Sequence, residues 1–219
     1  MVQPSTLKFL KTLRLNNNKE WFDNHKSDYQ NAKTDFENTV QQLIDGLSKQ
    51  DPAIKGLQIK DSVFRIYKDV RFSKDKTPYK THFGASFQSG GKKAITAGYY
   101  FHLEPGNKSF AGGGIWMPPA PALKKIRQEI DYNFEEFEQI ISNKEFIRHF
   151  SKVEGDALKT APQGYAPDNP AIAYLKLKSV LVERQFPDEL CTQPAVVREI
   201  LKTFAVMQPL VQFLNRALD

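Results

Sequence analysis

Cysteine is almost absent. The 219-residue chain holds one, Cys191, which excludes an intrachain disulfide framework and any cysteine-built zinc site. No apolar run reaches the length of a membrane span, and the opening MVQPSTLKFLKTLRLNNN lacks the apolar stretch of a signal peptide. The expected setting is therefore cytoplasmic, with no membrane partner. Nucleotide-binding glycine signatures are missing too, since neither G-x-G-x-x-G nor G-x-x-x-x-G-K-[ST] occurs. There is no internal repeat and no low-complexity tract. What the chain does have is a globular composition, 40% hydrophobic and 26% charged, with 16 Phe and 8 Tyr to fill a core.

The charge is unevenly placed. Nine cations and three acids lie between Lys60 and Lys93, and they carry the whole net charge of +6. A local positive field favours anionic partners and speeds their encounter. The plainer reading is a solvated, lysine-rich edge that resists aggregation.

The hydrophobic period changes twice along the chain. Residues 5–48 read as helices, with Asn18 placed to cap one of them. Residues 62–116 alternate as strands over 63–72, 79–88, 96–104 and 108–116. Lys68 falls on the apolar parity of the first strand, which predicts a bulge or an edge position there. Residues 119–218 return to helical spacing, with one further strand over 174–183 and a break or kink at Pro209. The fold class that follows is α+β: a mainly antiparallel sheet of four to five strands with helices packed on one side, in a single domain over 1–219.

Three blocks, NNNKEWFDNHKSDY, FRIYKDVRFSKDKTPYKTHFGASF and GYYFHLEPGNKSFAGGGIWMPP, resemble a conserved-hypothetical family, the domain of unknown function 2461. The resemblance spans most of the chain and implies one family-wide domain. It brings no catalytic residue with it, so chemistry has to come from the residues themselves.

On the polar parity of the strands, Arg65, Tyr67 and Arg71 share a face with Lys80, His82, Tyr100 and His102. Arginine offers a planar fork of donors suited to phosphate or carboxylate. Gly113, in the run Gly112–Gly114, lets a ligand approach the backbone. Arg65, Tyr67, Arg71, Lys80, Tyr100 and Gly113 are the expected anion-binding set, and the partner is an anionic small molecule. His82, His102 and Glu104 are the expected acid–base groups, because histidine titrates near neutrality and a carboxylate can orient it. Two imidazoles and a carboxylate also form the ligand set of a facial triad. The neighbouring cations weigh against a divalent ion, so no metal or other cofactor is assigned. Two other functions compete: a nucleic-acid-binding module using the cations of 60–93, and a protein-interaction domain without chemistry. Trp21, His25 and Tyr29 form a helical stripe suited to packing, and Trp116, a lone aromatic, is expected in the core.

Overall fold

The computed structural model describes residues 1–71 and 73–218 and is an α+β structure. Its helices are α1 (Pro4–Leu15), α2 (Lys19–Asn24), α3 (Lys26–Gln50), α4 (Ile59–Ser62), α5 (Ala120–Tyr132), α6 (Phe134–Ser142), α7 (Lys144–Phe150), α8 (Ile172–Leu175), α9 (Asp188–Cys191) and α10 (Val196–Arg216). Four strands, β1 (Phe83–Phe87), β2 (Gly98–Leu103), β3 (Ser109–Ile115) and β4 (Val180–Phe186), form one antiparallel sheet in the order β1-β2-β3-β4. No helix among the described residues is long and apolar enough to cross a membrane.

By internal packing the chain divides into two units, and it passes between them within β2, β3 and β4. The first unit comprises Met1–Lys92, Tyr100–Ala111 and Gln185–Lys202. Here Asn18 caps α2, its Oδ1 accepting the Trp21 N–H at 2.9 Å. Helix α3 supplies the core face: Phe36 stacks on Phe83 of β1 at 5.2 Å and on Phe101 of β2 at 5.9 Å. A side chain on Gly46 of α3 would run into Leu201 of α10, so only hydrogen fits at that crossing. Asn17, between α1 and α2, grips the backbone of Tyr79. Its Nδ2 donates to the Tyr79 carbonyl at 2.9 Å, and its Oδ1 accepts the Tyr79 N–H at 3.1 Å. The Tyr79 ring stacks on Phe22 at 3.9 Å. These contacts fix the approach to β1.

The second unit comprises Lys93–Tyr99, Gly112–Arg184 and residues 203–218. Its core gathers Phe137 of α6 with Tyr174 of α8 and Phe213 of α10, at 5.0 and 5.4 Å between rings. Arg216 bridges Glu129 and Glu136 at 2.7 Å each. A second asparagine clamp appears here: Ala97 donates to Asn215 Oδ1 at 2.8 Å and accepts from its Nδ2 at 3.1 Å. Ala97 directly precedes β2.

The structure corrects several expectations. Residues 63–71 form no strand; Phe72, the last residue expected in it, lies outside the described residues. The segment instead touches the chain ahead of β1 through two isolated antiparallel bridges, Val63 with Ala85 and Tyr67 with Tyr79. Four steps separate the bridged residues on one side and six on the other. The surplus therefore lies in 79–85, and the bulge expected at Lys68 is on the opposite side of the ladder. The strand expected over 174–183 begins at Val180, because residues 172–175 close as α8. Pro209 does not divide α10, which runs through it from Val196 to Arg216. Trp116 is 77% exposed and outside the core.

Candidate functional site

The bulge is what aims His82. Phe64 N–H donates to the Gly84 carbonyl at 3.0 Å and Lys80 N–H to the Ile66 carbonyl at 2.7 Å. Between these two bonds Arg65 alone opposes Thr81, His82 and Phe83. Such surplus residues leave the ladder and redirect a side chain, a device common beside functional sites. His82 turns its ring toward β2, where it meets the His102 ring at 4.3 Å between centroids.

Strand alternation places the rest. Along β2 and its end, Ala97, Tyr99, Phe101 and Leu103 are at most 1% exposed, while Tyr100, His102 and Glu104 point to the other face. On that face the three form a hydrogen-bonded chain. Tyr100 Oη lies 3.3 Å from His102 Nδ1, and His102 Nε2 lies 3.0 Å from Glu104 Oε2. A neutral His102 with its proton on Nε2 satisfies both contacts: the phenol donates to Nδ1, and Nε2–H donates to the carboxylate. Phe110 of β3 stacks flat on His102 at 4.8 Å, and Phe64 meets Tyr100 edge-on at 6.3 Å. Gly84 makes room for this arrangement, because a Cβ there would collide with the Tyr100 hydroxyl.

Burial among these rings sets the electrostatics. Desolvation pushes His82 down to about 4, with the adjacent His102 adding to the shift and Glu104 opposing it. Desolvation also lowers His102, against the carboxylate bonded to it. Tyr100 is pushed up to about 12 by burial. At neutral pH both imidazoles are uncharged. Lys80, whose ammonium sits 5.4 Å from the Phe64 ring centre, is held below its usual value by burial and by the Arg65 charge. Among the described residues, neither ring nitrogen of His82 has a hydrogen-bond partner, and neither is a buried unsatisfied atom, so both reach solvent.

The family described as conserved hypothetical protein (DUF2461) matches residues 5–213 of the chain. The chain belongs to that family. No curated protein and no solved structure matches it. In this DUF2461 chain the chemistry rests on side-chain geometry.

Of the residues singled out by sequence, the structure brings together His82, His102, Glu104 and Tyr100, with Lys80 on the same parity as His82. Arg65 is exposed beside the bulge, near enough for its charge to act on Lys80. Tyr67 packs elsewhere, 5.9 Å from Phe22 and 5.4 Å from Tyr79. Arg71 turns its fork onto Asp69, with Nε–Oδ1 at 2.9 Å and Nη2–Oδ2 at 2.6 Å. Gly113 belongs to the second unit, where a Cβ would strike the Met207 sulfur and the Gly98 carbonyl, so close packing explains its small size. Phe64 and Phe110 were not anticipated. Phe110 falls two strand positions from Gly112 on the parity opposite Ala111, which is the one cue in the sequence that it faces out of the core.

Three further cations of the stretch are engaged locally. Lys68 Nζ sits 2.7 Å from Asp75 and 2.6 Å from Thr77 Oγ1, and the Asp75 carboxyl is correspondingly held far below its usual range. Lys76 donates to the Val70 carbonyl at 2.9 Å, and Lys92 to the carbonyls of Lys60 and Val63. These three ammonium groups are spent on the chain's own loops and are not offered to a phosphate backbone.

Proposed function

We propose that this chain binds an anionic small molecule, phosphorylated or carboxylated, beside His82, and that the histidine cluster handles a proton on it. The reading is carried by the hydrogen-bonded chain Tyr100–His102–Glu104, set on alternate positions of one strand face with a second imidazole against it. An imidazole held between a hydroxyl and a carboxylate has a fixed tautomer and a fixed orientation, the arrangement general acid–base catalysis requires. His82, whose nitrogens have no hydrogen-bond partner among the described residues, meets the ligand. His102, with Nδ1 accepting from the phenol and Nε2–H donating to Glu104, packs against the His82 ring, and His82 takes a proton from the ligand or gives one to it. Lys80 and Arg65 supply the positive charge that draws the anion, and a half-buried ammonium interacts with it more strongly than a solvated one.

Calorimetric titration of the chelator-treated chain with inorganic phosphate tests the reading. Arg65→Lys keeps the charge and loses the planar fork, and Lys80→Met removes the charge. Each is expected to weaken binding by about tenfold, the size of one charge-assisted hydrogen bond, while the melting temperature stays close to that of the parent. Unchanged binding in both variants refutes the assignment.

A further inference from the structure

From the same three side chains we infer a second property: His82, His102 and Glu104 form a binding site for a divalent first-row transition ion of the zinc or iron(II) kind. The inference rests on their geometry and stands independently of anion binding. Each residue offers one ligand atom, and the three atoms lie within 4.8 Å of one another.

The spacing is close to what coordination needs. Two ligand atoms held at ~2.1 Å from one ion lie roughly 3.0 Å apart at a right angle and roughly 4.2 Å apart when opposed. His102 Nε2 and Glu104 Oε2 are already 3.0 Å apart, the separation of neighbouring ligands. The widest pair, at up to 4.8 Å, has to close by roughly 1.4 Å to reach the roughly 3.4 Å of two tetrahedral ligands at that bond length. His82 has freedom to make this adjustment, since no hydrogen bond holds its ring among the described residues and it sits in a bulge rather than in a paired strand.

The surroundings fit as well. His102 and Glu104 side chains are 12% and 18% exposed, so the site is sheltered without being closed. Metal-ligating histidines nearly always rest their second nitrogen on an outer partner that fixes the ring. Tyr100 Oη occupies that position at Nδ1. On loading, His102 changes tautomer: Nδ1–H donates to the phenol oxygen, Nε2 gives its lone pair to the ion, and no proton is lost from the ring. Two imidazoles and one carboxylate suit zinc, iron(II) and their neighbours better than magnesium or calcium, which prefer all-oxygen shells. Three protein ligands leave coordination positions open. Of the cations that argued against a metal, Lys68 is paired with Asp75 and Arg71 with Asp69, while Lys80 and Arg65 stay beside the site and favour an ion that brings an anionic co-ligand.

The test uses the full chain, stripped with chelator and dialysed against zinc(II) or cobalt(II). Elemental analysis is expected to find about one ion per chain, and cobalt to give a visible absorption band marking nitrogen and oxygen ligation. His82→Ala and Glu104→Gln should each weaken retention at least tenfold. His25→Ala and His149→Ala should not, because those rings are tied by Nδ1 to the carbonyls of Trp21 and Glu145. If a site variant unfolds, the parent still decides the matter: zinc must shift the ring resonances of His82 and His102 and leave those of His25 and His149 in place. No bound ion, or an ion indifferent to both site substitutions, overturns the inference. Phosphate titration of the stripped chain reads the other proposal separately, so either can fail while the other stands.

Discussion

Between Lys68 and Thr77, among the described residues, all the charged groups but Lys74 find partners at the surface: Lys68 on Asp75, Arg71 on Asp69, Lys76 on a backbone carbonyl. In the site, Phe110 stacks on His102, His102 packs against His82, and among the described residues the His82 nitrogens have no hydrogen-bond partner. Both regions lie in the same unit. In the first, solvent and short loops neutralise the charges, and exposed ion pairs of this kind contribute little to stability. In the second, burial suppresses charge and preserves unspent donor and acceptor capacity. The contrast separates charge that keeps a surface soluble from polarity that is positioned to act on something else.

Acid titration should sharpen that contrast most. The folded His82 titrates at about 4, below its ordinary 6.5, so between those values the unfolded chain binds more protons than the folded one. The stability this supplies is complete above pH 6.5 and is lost as pH falls toward 4; His102 shifts in the same direction. For the stripped protein, urea unfolding across this window should show a loss on the order of 2 kcal/mol that His82→Gln lacks, after allowance for residual solvent screening. Parallel curves for parent and variant would mean that His82 is solvated and the burial argument is wrong.

Gly84→Ala should act next most strongly. The added methyl meets the Tyr100 hydroxyl, so the ring has to move off His102 or the bulge has to shift, at a cost of about 1–3 kcal/mol for overpacking. Thermal melts give the stability change. Ring-nitrogen shifts of His102 report whether its Nδ1 has lost the phenol; a destabilised variant with an unaltered His102 signal would place Tyr100 outside the chain of hydrogen bonds.

The smallest effect belongs to the cationic stretch. Asp69→Ala breaks the most regular ion pair there, a two-point contact to Arg71, yet both groups are exposed. The urea midpoint is expected to stay within experimental error of the parent, with the same affinity for phosphate. A clear loss of either would show that the stretch is a functional surface after all.

How much of this could be read from residues alone varied with the kind of interaction. Along β2 the alternation was legible, because one face has to bury Tyr99, Phe101 and Leu103 and the opposite parity must then carry Tyr100, His102 and Glu104. The helices of the first 50 residues were legible for the same reason, period and caps being local. The segment 63–71 misleads because it has strand period without strand pairing: the two extra steps in 79–85 are set by how Asn17 and Phe22 hold Tyr79, which no local pattern encodes. The same surplus brings His82 to His102, so that proximity followed from shared parity while its cause did not. Arg71 lay on the favoured face, but a nearby Asp69 outcompetes any distant ligand for its fork. Phe110 escapes notice because an aromatic on a polar parity looks like an exception until the imidazole beneath it is seen, and Phe64 because it sits on the apolar parity of an expected strand that does not form.

The two asparagine clamps have a kinetic consequence. Asn17 reaches across 62 residues to Tyr79 and Asn215 across 118 to Ala97, and in each case the clamped residue stands just ahead of a strand. Neither strand start can be locked until a distant helical segment has arrived, and the entropy of closing such loops is lost before any bond repays it. Folding should therefore be slow for the chain's helical content, with the approaches to β1 and β2 among the last backbone to gain protection from hydrogen exchange. Asn17→Ala or Asn215→Ala would then show mainly as faster unfolding, the signature of contacts made after the rate-limiting step.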